Sequence, residues 1–220
     1  YEREQKQMKI YLMRHGETYW NHLGYIQGSS DIELTPYGIE LAEKTRDGFA
    51  KDGIRFDRIY TSPYKRALKT AEIINEKQHA PLIKDSRIRE MSFGVYEGKS
   101  IEELKKTDEN VRFCFSLPSK YVPRGGETFQ EVSARMKDFF EQEVRPLEGK
   151  CEAILITCHG AFIRTVLTWV KQLPLDTFWS ANSQPNCCVN LLSLEGGSFT
   201  VEKEGILYYE PSEKMKRGIL

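Results

Sequence analysis

Short apolar runs alternate along most of the chain with segments that have helical spacing. Three apolar-rich segments without polar alternation predict strands buried on both faces, at residues 9–13, 56–62 and 152–157; only the last is a continuous apolar run. Apolar side chains three or four residues apart predict helices over 34–53, 62–77, 126–147 and 160–173. Because strands and helices alternate, the pattern predicts an α/β fold: a three-layer sandwich with a mostly parallel central sheet and helices on both faces.

Cap and turn residues mark where several of these elements begin. Thr35 is the predicted N-cap of its helix, with Pro36 at the first helical position, and Ser62 with the proline after it opens the next helix in the same way. Near the end of the chain, "CCVNLLSL" and "SFTVEK" are separated by Gly196 and Gly197. This pattern predicts a closing β-hairpin.

Residues 91–125 interrupt the alternation. The segment is polar and broken by glycine and proline, so we expect an excursion over the sheet edge that covers the mouth of any site there. No repeat or linker divides the chain, and we expect one domain spanning 1–220. We interpret residues 1–7 as an extension or an expression remnant, because Met8 directly precedes the first strand.

The charge balance and the cysteines narrow the class of protein. Lys plus Arg and Asp plus Glu both total 32 in 220 residues, so the basic excess typical of a nucleic-acid or anionic-membrane partner is missing. Five cysteines form no CxxC pair and indicate reduced thiols in a cytoplasmic protein. We therefore expect a small-molecule ligand and neither nucleic acid nor membrane as partner; the sequence sets no oligomeric state.

Three predicted strands end in residues of one chemical character. The first runs into Arg14, His15 and Gly16, the second is followed by Arg66 in the first turn of a helix, and the third runs into His159 at another helix start. Ligands of open parallel α/β sheets bind outside the carboxyl ends of the strands. Two guanidiniums, two imidazoles and helix N-termini at one edge indicate a small, dense anion, most simply phosphate.

Six segments in order resemble the motifs of the histidine phosphatase superfamily, which has the phosphoglycerate mutase-like fold. They cover about residues 8 to 195 and read "LMRHGETYWN", "YIQGSSDIELTPYG", "YTSPYKRALKTAEII", "REMSFGVYEG", "PRGGETFQEV" and "ITCHGAFIR". The resemblance implies that His15 is the nucleophile that becomes phosphorylated and that Glu90 is the catalytic acid. It also implies phosphate or substrate contacts, from Arg14, Thr18, Asn21, Gln27, Gly28, Arg66 and His159.

Elementary chemistry supports these implied roles. A histidine nucleophile must be neutral, and the nearby arginines disfavour its protonation; a backbone acceptor on the other ring nitrogen would fix the tautomer. Glu90 would protonate the leaving oxygen and then activate water. His22 and His79 lie in polar surroundings and are expected at the surface. Neither HExxH nor a dense acidic cluster occurs, so we expect activity without metal or cofactor.

The resemblance leaves hydrolysis and intramolecular phosphoryl transfer to be distinguished. Related mutases carry a longer insertion before the second histidine, with an adjacent arginine pair; here 68 residues separate Glu90 from His159, and no Arg-Arg pair occurs. The opening motif, with Gln27 where mutases usually have threonine, is similar to the bacterial broad-specificity and alpha-ribazole phosphatase branches. A phosphatase is favoured; the alternatives are a phosphoglycerate mutase and a non-catalytic phospho-ligand binding module.

The excursion offers candidate residues for substrate selection. Its aromatic and basic side chains either line the mouth of the site or pack onto the sheet: Phe93, Tyr96, Phe113, Phe115 and Tyr121, with Arg112, Lys120 and Arg124. Aromatic residues at the mouth would suit an apolar or ring-bearing leaving group, and basic residues would suit a second acidic group. The sequence leaves both arrangements open.

Overall fold

A six-stranded sheet forms the centre of the computed structural model, which describes residues 7–180 and 183–211. The strands are β1 (Met8–Arg14), β2 (Arg58–Thr61), β3 (Leu82–Lys84), β4 (Ala153–Cys158), β5 (Val189–Glu195) and β6 (Ser198–Ile206). They lie in the order β3-β2-β4-β1-β5-β6. The first four strands in this order are parallel to one another, β5 is antiparallel to β1, and β6 is antiparallel to β5. The mostly parallel sheet and the closing hairpin are therefore confirmed.

The helices occupy the segments between strands. They are α1 (Tyr19–Leu23), α2 (Pro36–Lys51), α3 (Lys65–Asn75), α4 (Ile101–Thr107), α5 (Glu109–Ser116), α6 (Phe129–Phe139) and α7 (Gly160–Val170). Thr35 caps α2 by accepting from the Gly38 amide, as predicted. The prediction that Ser62 opens α3 is wrong, because that helix begins at Lys65 and has no side-chain cap. The helix predicted to reach residue 147 changes to π-helical geometry over Phe140–Val144.

Side chains of β1 alternate between two buried layers. Ile10 and Leu12 pack in one cluster with residues of α6 and α7, such as Phe139 and Phe162. Tyr11, on the opposite face, belongs to a second cluster with Leu41 and Phe49 of α2 and with Ala71 and Ile74 of α3. Because β1 is covered on both faces, its sequence is continuously apolar, and the predicted three-layer sandwich is confirmed.

Residues 91–125 contain two helices that the sequence did not predict. Ser100 caps α4 and Asp108 caps α5, and each helix is too short to show a clear period. Together with α6 and α7 they enclose a third buried cluster, which includes Phe93, Tyr96, Val111, Cys114, Tyr121, Phe129 and Ala161. This packing places the excursion beside the start of α7, at the carboxyl ends of the parallel strands.

Two expectations concern the limits of the described chain. Residues 1–6 of the proposed extension lie outside the described residues. In the ranges that the structure describes, no helix is long and apolar enough to cross a membrane.

Candidate active site

A cavity of about 920 Å³ opens where β1, α3 and α7 meet the excursion. Residues from four separate motifs line it: Arg14, His15, Asn21, Gln27, Gly28, Arg66 and Glu90. We call Arg14, His15, Arg66 and Glu90 the phosphoryl end of the cavity. His159 and Thr18 are fully buried next to these residues and are not among the residues that line the cavity.

The ring of His15 is held in one tautomer by its own chain. Nδ1 lies 2.7 Å from the carbonyl oxygen of Gly16 and donates to it, which leaves Nε2 without a proton. Burial lowers the pKa of His15 well below its usual value, and the charges of Arg66 and Arg14 lower it further. The imidazole is therefore neutral at neutral pH with Nε2 as its basic atom, which is the form a nucleophile requires.

Gly16 allows the strand exit to lie directly against the start of α2. A Cβ at Gly16 would sit 2.5 Å from the carbonyl oxygen of Gly38, and a Cβ at Gly38 would sit 2.1 Å from that of Glu17. The Gly16 amide also donates to Thr70 Oγ1 at 3.0 Å. Gly16 thus permits a contact between two backbones, and this contact fixes the position of His15.

Arg66 is fully buried and is bound by a loop on the other side of the cavity. Its Nη1 donates to the Ser30 carbonyl at 2.6 Å and its Nη2 to the Gly28 carbonyl at 2.7 Å. Arg14 donates in the same way through Nη1 to the Gln184 carbonyl. The Nε atoms of both arginines are buried and have no hydrogen-bond partner among the described residues. Two N–H donors, on arginines close enough for their charges to act on His15, are therefore left for a further acceptor.

Glu97, which the sequence analysis did not single out, organises the loop that binds Arg66. Its carboxylate accepts from the Ser29 amide at 2.9 Å, from the Ser30 hydroxyl at 2.8 Å and from the Phe93 amide at 3.0 Å. Its Oε1 also lies 2.1 Å from the position a Cβ on Gly28 would take, where φ is +52°. Glycine is therefore required at Gly28 by both space and conformation.

His159 lies against His15, with ring centroids 5.2 Å apart. Its Nε2 is 2.8 Å from Ser62 Oγ, while Nδ1 is buried and finds no partner within 7–180 and 183–211. Burial, followed by the charge of Arg66, lowers the pKa of His159 well below its usual value. Cys158 is buried in the core on the α6 and α7 side, because neighbouring residues at the end of a strand point to opposite faces, so it forms no dyad with His159.

Thr18, Asn21 and Gln27 form one hydrogen-bonded group. The Thr18 hydroxyl donates to Gln27 Oε1 at 2.7 Å and accepts from the Asn21 amide at 3.1 Å as the N-cap of α1. Asn21 Oδ1 accepts from the Thr18 amide and from Asn186. The amide NH₂ groups of Asn21 and Gln27 remain for a ligand, whereas Thr18 positions both side chains from behind the cavity wall.

The carboxylate of Glu90 lies at the N-terminus of α7. Oε1 accepts from the Met91 amide at 2.9 Å and the Phe162 amide at 3.2 Å, and Oε2 accepts from the Ala161 amide at 3.2 Å. The expectation that helix N-termini offer their amides to phosphate is met only in part. Glu90 occupies the amides of Ala161 and Phe162 in α7, and Asp31 Oδ1 accepts from the first amide of α3 at 2.7 Å.

Arg135, a second residue that the sequence analysis missed, holds the chain that carries Glu90. Its Nη1 donates to the carbonyls of Arg87 and Arg89, each at 2.7 Å, and its Nη2 donates to the Glu90 carbonyl at 3.1 Å. Glu127 accepts from Nε at 2.9 Å and pairs the charge. The helical spacing of α6 gave no signal for this role, since Arg135 reads as an ordinary polar position.

Other predicted residues fall in different places. His22 is exposed, as expected, but borders the cavity, and His79 is exposed away from it. Of the aromatic candidates, Phe93 and Phe115 line the cavity, and Tyr96 and Tyr121 pack in the third cluster. Arg112, Lys120 and Arg124 do not line it; Arg124 instead pairs with Asp108 at 3.2 Å. Among the described residues, no group of three potential ligands could hold a metal ion.

Comparison with known proteins shows which family the chain resembles. The model of the histidine phosphatase superfamily (branch 1) matches residues 10–206. The chain is 32% identical over 174 residues to phosphoserine phosphatase 1 of Hydrogenobacter thermophilus, covering 79% of this chain and 81% of that protein. It is 29% identical over 206 residues to a 2,3-bisphosphoglycerate-dependent phosphoglycerate mutase of Treponema denticola, covering 80% and 83%.

The solved structure of YhfR from Bacillus stearothermophilus has the same fold. The TM-score is 0.84 at 33% identity, over 91% of this chain and 98% of that one. The chain therefore belongs to the histidine phosphatase superfamily, as its motifs predicted. Members of this family are phosphatases and mutases, so the protein belongs to a class of enzymes that act on phosphate esters.

Proposed function

We propose that this protein is a metal-independent phosphatase that hydrolyses phosphate monoesters through a phosphohistidine at His15. The observation that carries the proposal is the state of His15: Nδ1 is bonded to a backbone carbonyl, and Nε2 is free beside two arginines with unpartnered Nε–H groups. A neutral nucleophile next to oriented cationic donors is what phosphoryl transfer to nitrogen requires.

In the first step, His15 Nε2 attacks the phosphorus and an N–P bond forms as the bond to the leaving oxygen breaks. Glu90, which reaches the cavity, donates a proton to that oxygen, so that the alcohol leaves neutral. Arg14 and Arg66 stabilise the charge on the equatorial oxygens through their Nε–H groups. Asn21 and Gln27, which line the cavity, supply further contacts to those oxygens. We assign His159 a contact from behind His15, through a protonated Nδ1 while Nε2 accepts from Ser62.

In the second step, water attacks the phosphohistidine and Glu90, now a carboxylate, accepts its proton. The N–P bond breaks, inorganic phosphate leaves, and His15 returns to its neutral form with Nδ1 still bonded to Gly16. Glu90 thereby acts as acid and then as base, as microscopic reversibility requires. Thr18, Gly28 and Arg135 contribute to these two reaction steps only by positioning the residues that take part in them.

The short cover favours hydrolysis over mutase activity. Only 68 residues separate Glu90 from His159, the excursion over 91–125 holds just two short α-helices, and the cavity is bordered by exposed side chains such as His22 and Leu23. Water therefore has access to a phosphohistidine there, whereas a mutase must protect it. The expected substrate is a small phosphorylated metabolite in the cytoplasm, without nucleic acid or membrane as partner.

Phosphate release in EDTA tests the proposal. The wild type should hydrolyse at least one of p-nitrophenyl phosphate, phosphoserine and 3-phosphoglycerate, and His15→Ala should reduce the rate by at least ~10³-fold. His79→Asn, an exposed histidine at φ +55°, is the matched control and should keep wild-type activity. Isomerisation of 3-phosphoglycerate without phosphate release would support the mutase, and phosphate binding without turnover would support a binding module.

A further inference from the structure

The loop that precedes β5 packs against the residues at the exit of β1. The Arg14 amide donates to the Cys188 carbonyl at 3.0 Å, and the Cys187 amide donates to the His15 carbonyl at 3.2 Å. Asn186, the residue before Cys187, is only 1% exposed. The two reaction steps do not use its side chain. A buried asparagine therefore lies beside the backbone of the proposed nucleophile without an assigned role.

The amide group of Asn186 contacts two residues of the candidate site. Its Nδ2 donates to the His15 carbonyl at 3.1 Å and to Asn21 Oδ1 at 3.2 Å. Because the His15 carbonyl also accepts from the Cys187 amide, it is held in place by two donors. Asn186 thus links the main chain of the proposed nucleophile to the side chain of a proposed phosphate ligand.

These hydrogen bonds determine which way both amide groups face. The Thr18 backbone amide can only donate, and it lies 3.2 Å from Oδ1 of Asn21, so this atom is the oxygen. The His15 carbonyl can only accept, which requires the NH₂ group of Asn186 at that contact. Because the oxygen of Asn21 faces Thr18 and Asn186, its NH₂ group is left for the cavity that Asn21 lines.

Packing by itself does not explain an asparagine at this position. Its Oδ1 is buried and has no hydrogen-bond partner in the part of the chain that the structure describes. A leucine of similar size would avoid this unpaired acceptor, so the two donated hydrogen bonds are what asparagine adds. After β6, the Tyr209 hydroxyl donates to the Asn186 carbonyl at 2.5 Å. The backbone of Asn186 is therefore held as well as its side chain.

We propose that Asn186 is a positioning residue that orients the NH₂ group of Asn21 toward the phosphoryl group bound at His15. This inference rests on the proposed phosphatase function and adds a residue to its site. Without Asn186, only Thr18 holds the oxygen of Asn21, and the NH₂ group loses its fixed direction relative to the nucleophile. Asn186 itself contacts neither the substrate nor the reacting atoms.

A double-mutant cycle tests whether Asn186 acts through Asn21. Asn186→Leu should lower kcat/KM for p-nitrophenyl phosphate about tenfold, and less than about twofold in the Asn21→Ala background. Asn75→Leu is the control for a purely structural loss. Asn75 also makes two side-chain hydrogen bonds, to the Ala80 amide and carbonyl, but does not line the cavity. It should lower the thermal stability and leave kcat/KM unchanged.

Binding of inorganic phosphate to the His15→Ala variant separates this inference from the phosphatase proposal. Calorimetry should show about tenfold weaker binding after Asn186→Leu, but only while Asn21 is present. Equal losses with and without Asn21, or no loss, would overturn the inference even if the wild type is an active phosphatase. A loss that requires Asn21 would uphold it even if turnover is not observed.

A smaller substitution covers the case in which the leucine variant does not fold. Asn186→Ala removes the same donors without placing a larger apolar group in the site. Both measurements are then repeated on Asn186→Ala, with the same expected dependence on Asn21 and the same contradicting results.

Discussion

Two parts of the cavity are built in different ways. At the phosphoryl end, His15, Arg66 and Glu90 are buried, and each side chain is tied to backbone groups through hydrogen bonds. We call a second set of cavity residues the outer wall: Lys105, Phe115, Arg164 and Trp179. Lys105 is exposed, the other three side chains are half-buried, and the main contacts between them are ring and cation contacts. Hydrogen bonds to the backbone fix the side-chain positions in the first arrangement, whereas ring and cation contacts impose fewer directions in the second.

This contrast makes a general prediction. Substitutions at the phosphoryl end should reduce turnover of two alkyl esters, phosphoserine and 3-phosphoglycerate, equally, because both share the phosphoryl group. Substitutions at the outer wall should change the ratio between the two. Single substitutions at the phosphoryl end test the first of these two expectations.

Replacing the proposed acid should have the largest effect. Glu90→Gln retains the shape of the side chain but removes proton transfer, and kcat should fall ~10²–10⁴-fold for both esters. Glu103→Gln, an exposed glutamate of α4, is the control and should have wild-type kinetics. A fall confined to one ester would show that Glu90 acts on the leaving group's other substituents and not on the phosphoryl step.

Removing Arg135 should misplace Glu90 without touching the substrate. Arg135→Gln should lower kcat by roughly 10–100-fold for both esters with KM nearly unchanged, because the carbonyls of Arg87, Arg89 and Glu90 lose their shared donor. Arg135→Lys should restore part of the rate. The control is Lys137→Gln, an exposed position on the same helix. A changed KM at constant kcat would contradict the positioning role.

The buried histidines should make stability depend on pH. The pKa values of His15 and His159 are lowered on folding, so below about pH 6.5 the unfolded chain binds more protons than the folded one. The contribution of these two neutral histidines to the free energy of unfolding should therefore be fully present above that pH. It should fall as the pH decreases, by up to about 1.4 kcal/mol per pH unit for each histidine.

Chemical denaturation between pH 4.5 and 8 measures this slope. His159→Asn should reduce it, whereas His22→Gln should leave it unchanged, since the His22 side chain is 69% exposed. A slope that His159→Asn does not alter would show that the ring titrates alike in the folded and unfolded chain.

The smallest expected effect concerns Ser62. Ser62→Ala removes the hydroxyl that lies 2.8 Å from His159 Nε2, and kcat/KM should fall about two- to tenfold for both esters, the equivalent of one hydrogen bond. Ser116→Ala, at an exposed hydroxyl of α5, is the control. An unchanged rate would mean that the orientation of His159 does not depend on this contact.

The sequence by itself determined the phosphoryl end to a large extent. Arg14 and His15 directly follow β1, Arg66 lies in the first turn of α3, and His159 directly follows β4. Each is adjacent in sequence to an element that its own apolar pattern predicts, and the parallel sheet then places all strand exits at one edge. The same locality predicted Thr35 as the cap of α2 and the closing hairpin.

Only the tertiary structure decided the contacts between segments distant in sequence. Arg135 meets the carbonyl of Glu90 across 45 positions, and Ser62 meets His159 across 97, so no local spacing could indicate either. The helix N-termini are occupied by Glu90 and Asp31 for the same reason. The outer wall depends on how α4 and α5, each too short for a clear period, pack on α7. Tertiary contacts set the positions of side chains in the excursion. Lys105 and Arg164 therefore line the cavity, and the three basic residues that the sequence suggested, Arg112, Lys120 and Arg124, do not.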